Sequence, residues 1–145
     1  MYILEYPKFK DKHHILSGIA LLVDDKICLV LPKKFKKQDK YSIPKGHQEM
    51  GKSPFYNAYL EMREETGIDI GLHKPSDSFK YTYKKNDTKK DLIVFVVKLT
   101  TDEFTDITMG KRDKSEITKV KFYSKEKALE KVEPQFKKLI RYIFK

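Results

Sequence analysis

Apolar and polar positions along this chain fall into short blocks. Residues 15–23 and 27–31 are two β-prone runs separated by Asp24, Asp25 and Lys26, which predicts a hairpin. Residues 32–40 hold five lysines in nine positions and read as a solvated or phosphate-facing loop. Ser53 is a suitable N-cap, Pro54 suits the first helical position and Gly67 a C-terminal stop, so residues 54–66 are expected to form a helix. Aromatic and polar residues alternate over 79–84, and 92–99 is almost continuously β-branched or aromatic. Asn86, Asp87 and Thr88 between them predict a second hairpin. The polar stretch 101–115 reads as a loop and 120–123 as a short strand. Two helical patterns close the chain. In the second, Phe136, Leu139, Ile140, Ile143 and Phe144 recur at helical spacing behind Pro134, the mark of a helix packing on a core.

Composition narrows the class. A chain of 145 residues is the size of a single domain, and at that length roughly 68–70% of the unfolded surface can be buried. Hydrophobic residues at 39% beside charged ones at 36% fit a globular chain and exclude a disordered tail. No apolar run approaches the ~20 residues of a spanning helix. The first twelve residues lack an apolar leader segment, so secretion is not expected and the cytoplasm is the default compartment. The single cysteine, Cys28, excludes an internal disulfide and a cysteine-built zinc site, and its apolar neighbours suggest a small buried hydrophobe. The formal charge of +10 asks which polyanion the surface meets.

The predicted helix carries candidate chemistry. At 100° per residue, Phe55, Ala58, Tyr59, Met62 and Thr66 share one face, which should be buried. Glu61, Glu64 and Glu65 form an acidic stripe beside it. Like charges at i, i+3 and i+4 destabilise a helix, and carboxylates near a helix C-terminus oppose its dipole. A hard divalent cation, Mg²⁺ or Mn²⁺, would relieve both penalties. Pairing with lysines on a solvated face is the plainer alternative.

Residues 46–68 read GHQEMGKSPFYNAYLEMREETGI, and here the chain resembles the Nudix hydrolases. Their signature is Gly, five residues, Glu, seven residues, then Arg, Glu, an aliphatic, any residue, Glu, Glu, any residue, Gly and an aliphatic. Gly46 matches its start, and Glu61, Met62, Glu64, Glu65, Gly67 and Ile68 match its end in register. Pro44, Lys45 and His47 around Gly46 also look like the entry to this motif. Two positions depart: Lys52 stands where the signature has glutamate, and Leu60 where it has the arginine that in relatives commonly holds the helix's glutamates. One expectation is that Lys52 supplies a cation near Glu61 in place of the lost arginine. The other is that the site is weakened, leaving a ligand- or RNA-binding module.

The resemblance implies an α/β/α sandwich with a mixed β-sheet, the catalytic helix at about 54–66 on one side and a C-terminal helix on the other. It implies hydrolysis of a diphosphate linkage with Mg²⁺ or Mn²⁺, ligated by Glu61, Glu65 and the Gly46 carbonyl. Glu64 is then a third ligand or the general base, with Glu116, and after it Glu103, as later-loop alternatives. Lys45 becomes a phosphate contact and His47 a further substrate contact. Basic clusters at Lys33, Lys34 and Lys36, at Lys84, Lys85, Lys89 and Lys90, and at Lys111, Arg112 and Lys114 suggest a phosphate-rich small molecule. Residues 110–132 resemble the diphosphoinositol polyphosphate and dinucleoside polyphosphate hydrolase branch. The same lysines suit the 5′ end of RNA, as in an RNA 5′-end pyrophosphohydrolase or decapping enzyme, with Phe79, Tyr81 and Tyr83 either stacking a base or packing in the core.

Overall fold

A computed structural model describes residues 13–112 and 115–145 of the chain. Strand β1 (His13–Val23) runs through the middle of the main sheet. Its side chains feed both faces: Leu16, Ala20 and Leu22 enter one apolar cluster, Ile19 and Leu21 the other. Burial on both sides explains why its run is almost continuously apolar. Next come β2 (Lys26–Pro32), the three-residue β3 (Lys45–His47), β5 (Asp77–Lys85), β6 (Thr88–Leu99) and β8 (Ile117–Tyr123), in the spatial order β5-β6-β1-β2-β8 with β3 beside β1. β1 and β6 are parallel and the other pairs antiparallel, so the sheet is mixed as expected.

The first hairpin exists but opens quickly. β1 and β2 pair only at Leu22–Ile27 and Val23–Lys26. On its other edge β2 pairs with β8 from Ile27 to Pro32, and beyond the two rungs β3 takes its place beside β1 through Leu16–His47, Ser17–Gly46 and Gly18–Lys45. That divergence seats β3 between the sheet and helix α1 (Pro54–Thr66). Ser53 caps α1 by accepting from Tyr56 N at 3.2 Å, and Gly67 ends it with a φ of 80°, in the left-handed region. Ala58, Met62 and Thr66 are buried, and Phe55 meets Phe95 edge-on at 5.1 Å. α1 thus covers one face. Helix α3 (Lys125–Lys131), a 3₁₀ turn over Pro134–Phe136 and α4 (Lys137–Ile143) cover the other, where Phe136, Leu139, Ile140 and Ile143 are buried. This is the expected α/β/α sandwich.

The second hairpin turns at Asn86 and Asp87, both with positive φ, as a tight two-residue connection requires. Stretch 101–115 departs from its reading as a loop: it contains helix α2 (Thr101–Thr105) and β7 (Thr108–Met109), which pairs with β4 (Ile68–Asp69) at the end of α1. Thr100 and Glu103 form a reciprocal capping box, a Thr-x-x-Glu signature visible in the sequence. Glu103 is therefore engaged in capping the start of α2. Phe79, Tyr81 and Tyr83 pack toward the α4 side, with Tyr83 against Phe136 at 5.0 Å and Phe79 against Tyr142 at 4.5 Å, so these rings serve the core. Among the described residues, no helix is long and apolar enough to cross a membrane. Segment 1–12, on which the expectation about secretion rests, lies outside the described residues.

Candidate active site

The acidic stripe of α1 faces β3. Alternation along β3 turns Gly46 toward α1 and points Lys45 and His47 the other way. A Cβ at Gly46 would overlap the carboxylate of Glu61, so only glycine admits this approach. One turn further, Glu65 Oε1 accepts from the Lys45 backbone N–H at 3.3 Å. Burial pushes the Glu61 carboxyl up to about 7, with the charges of Glu64, Glu49 and Glu116 adding to the rise and Lys52 opposing it. Burial likewise pushes Glu65 up to about 8, against Lys45 and with help from Glu61 and Glu116. Glu116 comes from the segment before β8, and its carbonyl accepts from Lys33 N at 2.7 Å. Glu64 is exposed. It lines a groove of about 330 Å³ with Leu60, Arg63, Gly67, Asp69, Thr108, Gly110 and Lys111.

Among the described residues, no three His, Cys, Asp or Glu side chains stand close enough to ligate an ion by themselves. A divalent cation still suits the site. Mg²⁺ is ordinarily held by one or two carboxylates with water completing its shell, and Glu61 and Glu65 are crowded carboxylates whose charged forms are disfavoured first by burial and then by their acidic neighbours. Lys52 lies as the sequence suggested, its charge felt at Glu61, while its ammonium pairs with Glu49 at 3.1 Å.

On the opposite side of β3 lies a basic cluster. The charges of Lys34, Lys45 and Lys90, with His14, act on His47, whose imidazole is held below its usual range first by burial and then by them. Lys45 is likewise lowered, by burial first and against Glu65 and Glu133, with Lys85 and Lys34 adding to the fall, and Lys90 by burial and then by Lys85 and Lys34. Lys45 Nζ lies 3.4 Å from Ser42 Oγ and 5.4 Å from the Phe136 ring centre. Buried Glu133 pairs with Lys85 at 3.0 Å and partly balances the group. Four separate segments thus converge: the turn after β2, β3, the end of β5 and the start of β6.

Of the residues expected at the site, Gly46 lies against the Glu61 carboxylate, the charges of Glu64 and Glu116 are felt at Glu61 and that of Glu61 at Glu65, and Lys45, His47 and Lys34 share the basic cluster. Lys33 and Lys36 are exposed on the same turn as Lys34. Arg112 donates from Nη2 to the Thr118 carbonyl at 3.2 Å, tying its loop to β8. Lys114 lies outside the described residues. Sequence reasoning missed Glu49 and Asn57, and it named Lys85 and Lys90 only together with Lys84 and Lys89, since the alternation of a hairpin tip could not separate the four. Cys28 is fully buried with its thiol pushed up to about 12 by burial, an inert packing residue as expected.

The NUDIX domain model matches residues 12–143. No curated protein sequence matches the chain significantly. Among solved structures, the chain is similar to a C. elegans Ap4A hydrolase in a binary complex, with a TM-score of 0.70 and 17% identity over 88% of this chain and 93% of that one. It is also similar to a NUDIX hydrolase from Nitrosomonas europaea, at a TM-score of 0.70 and 18% identity over 92% of this chain and 88% of that one. A MutT protein from Methanosarcina mazei Go1 gives 0.69 and 18%, covering 93% and 95%. These identities speak for the fold; the match along nearly the whole sequence, with the Gly46–Glu61–Glu65 arrangement, places the chain in the Nudix family of pyrophosphohydrolases.

Proposed function

We propose that this chain hydrolyses a diphosphate linkage in a phosphate-rich small molecule of the dinucleoside polyphosphate or diphosphoinositol polyphosphate class. The observation that supports this reading is the back-to-back arrangement across β3, with crowded carboxylates on one side and crowded cations on the other. Each cluster is only partly balanced, the carboxylates by Lys45 and Lys52 and the cations by Glu133 and Glu65. A polyphosphate with its divalent cation supplies the remaining countercharge of both.

In this reading Glu61, Glu65 and the Gly46 carbonyl hold Mg²⁺ or Mn²⁺. The bound cation offsets phosphate charge and makes water a better nucleophile. Lys45, Lys34, Lys85, Lys90 and His47 bind and orient the remaining phosphates. Water adds to one phosphorus, the bridging P–O bond there breaks, and the bridging oxygen leaves with the other phosphate. A carboxylate oxygen of Glu64 takes the water's proton, and Glu116, exposed on the facing loop, is the alternative. The similarity to an Ap4A hydrolase agrees with the dinucleoside branch. RNA ends are disfavoured because Phe79, Tyr81 and Tyr83 pack toward the core and offer no free stacking platform.

The test is Mg²⁺-dependent turnover of a panel containing diadenosine polyphosphates, diphosphoinositol polyphosphates, capped RNA and nucleotide sugars. Preference for one of the first two groups is expected. Preference for capped RNA or nucleotide sugars would overturn the substrate class. No turnover of any, with wild type and Glu65→Gln alike, would leave the binding-module reading.

A further inference from the structure

Asparagine is a weak helix former because its amide competes for local backbone groups. Asn57 nevertheless sits inside α1, 1% exposed. Its amide does nothing for the helix. Nδ2 donates to Ser17 Oγ on β1 at 2.7 Å and to the His47 carbonyl at 3.2 Å, and Oδ1 accepts from the Glu49 backbone N–H at 3.2 Å. Two of these three bonds end on the segment that follows Gly46.

On the helix, Asn57 lies one turn before Glu61 and two before Glu64, so it belongs to the same stripe. The approach it controls is tight, since the Glu61 carboxylate occupies the space a Cβ on Gly46 would need. Leu60, standing where the family signature has arginine, offers no hydrogen bond across this gap. Both groups that Asn57 holds on residues 47–49 are backbone groups, so it fixes the path of the chain there.

We propose that Asn57 is a positioning residue whose carboxamide pins residues 47–49 to α1 and so keeps Gly46 in register with Glu61 and Glu65 for cation binding. This rests on the metal-site reading above. Ser17 provides an internal control: Ser17→Ala removes the bond to β1 and leaves both bonds to the loop.

The experiment measures Mn²⁺ affinity by the loss of the free-ion EPR signal, alongside kcat and KM, in wild type, Asn57→Ala, Asn57→Leu and Ser17→Ala. Asn57→Ala improves helix propensity, and Asn57→Leu keeps most of the volume, so at least one should fold. Removing a group that orients metal ligands typically costs about 10–100-fold in metal affinity, and that loss is expected for both Asn57 variants. Their kcat should fall more than KM rises. Ser17→Ala should stay within about twofold of wild type in affinity, even if its melting temperature drops. Wild-type affinity in the Asn57 variants would overturn the proposal, as would an equal loss in Ser17→Ala, which would make the effect one of packing. Wild type without saturable Mn²⁺ binding would overturn the metal-site reading and the clamp with it.

Discussion

The two charged clusters flanking β3 are built in opposite ways. The acidic stripe comes from one helix, with Glu61, Glu64 and Glu65 within five consecutive residues. The basic cluster takes Lys34, Lys45, Lys85 and Lys90 from four parts of the chain. Each is a like-charge crowd that burial makes costlier, which raises the Glu61 and Glu65 carboxyls and lowers the Lys45 and Lys90 ammoniums. The helix places its charges by its own periodicity, whereas the basic cluster depends on the sheet order that brings together the turn after β2, β3, the end of β5 and the start of β6. One cluster should govern the chemical step, and the other should govern grip on the substrate.

Removing a carboxylate breaks that division at its strongest point. Glu65→Gln or Glu61→Gln should lower kcat by at least about 100-fold, since even residues one step removed from a metal cost 10–100-fold. Substrate KM should change far less. The basic cluster should answer in the complementary way: Lys85→Met with Lys90→Met raises KM for a polyphosphate by about tenfold, the equivalent of about 1.4 kcal/mol, with little effect on kcat. If both sets of variants alter the same parameter, the division of labour is wrong.

Lys52→Glu probes the boundary between the two. It removes the Glu49 partner and the cation that opposes the rise at Glu61. Activity should fall several-fold, and an increase would show that Lys52 does not stand in for the missing arginine.

Stability against pH gives a smaller effect with a definite sign. In metal-free protein the folded carboxyls titrate at about 7 for Glu61 and about 8 for Glu65, above their unfolded value of 4.5. Between those values the folded state binds more protons than the unfolded one, so stability falls as pH rises through this window and levels off above it. Thermal melts from pH 5 to pH 9 should show that decline, and added Mg²⁺ should raise the melting temperature more at pH 8.5 than at pH 5.5. The smallest effect is expected at Glu103. Glu103→Ala should cost about 1 kcal/mol or less through the lost cap and leave kcat unchanged.

The legibility of each region in the sequence follows the same contrast. α1, its cap, its stop and its stripe are local, so spacing alone located them, and both hairpin turns were readable from their polar residues. What spacing could not supply was the partner of each strand. Nothing in residues 27–31 says that β2 leaves β1 after two rungs, and nothing near Lys85 says that it meets Glu133 from the far end of the chain. Residues 101–115 were legible in part, because Thr100 and Glu103 spell a capping box inside a stretch whose polarity otherwise suggests a loop. Asn57 left a faint signal, a poor helix former within a strong helix, whose meaning depends on Ser17 forty residues away.

The most direct test of the account is kcat/KM across dinucleoside polyphosphates carrying two, three, four and five bridging phosphates, measured in Mg²⁺ for wild type and for the Lys85→Met, Lys90→Met double variant. Two charged clusters sharing one substrate predict a rise with phosphate number in wild type that flattens in the variant. A flat wild-type series, or an undiminished rise in the variant, would contradict it.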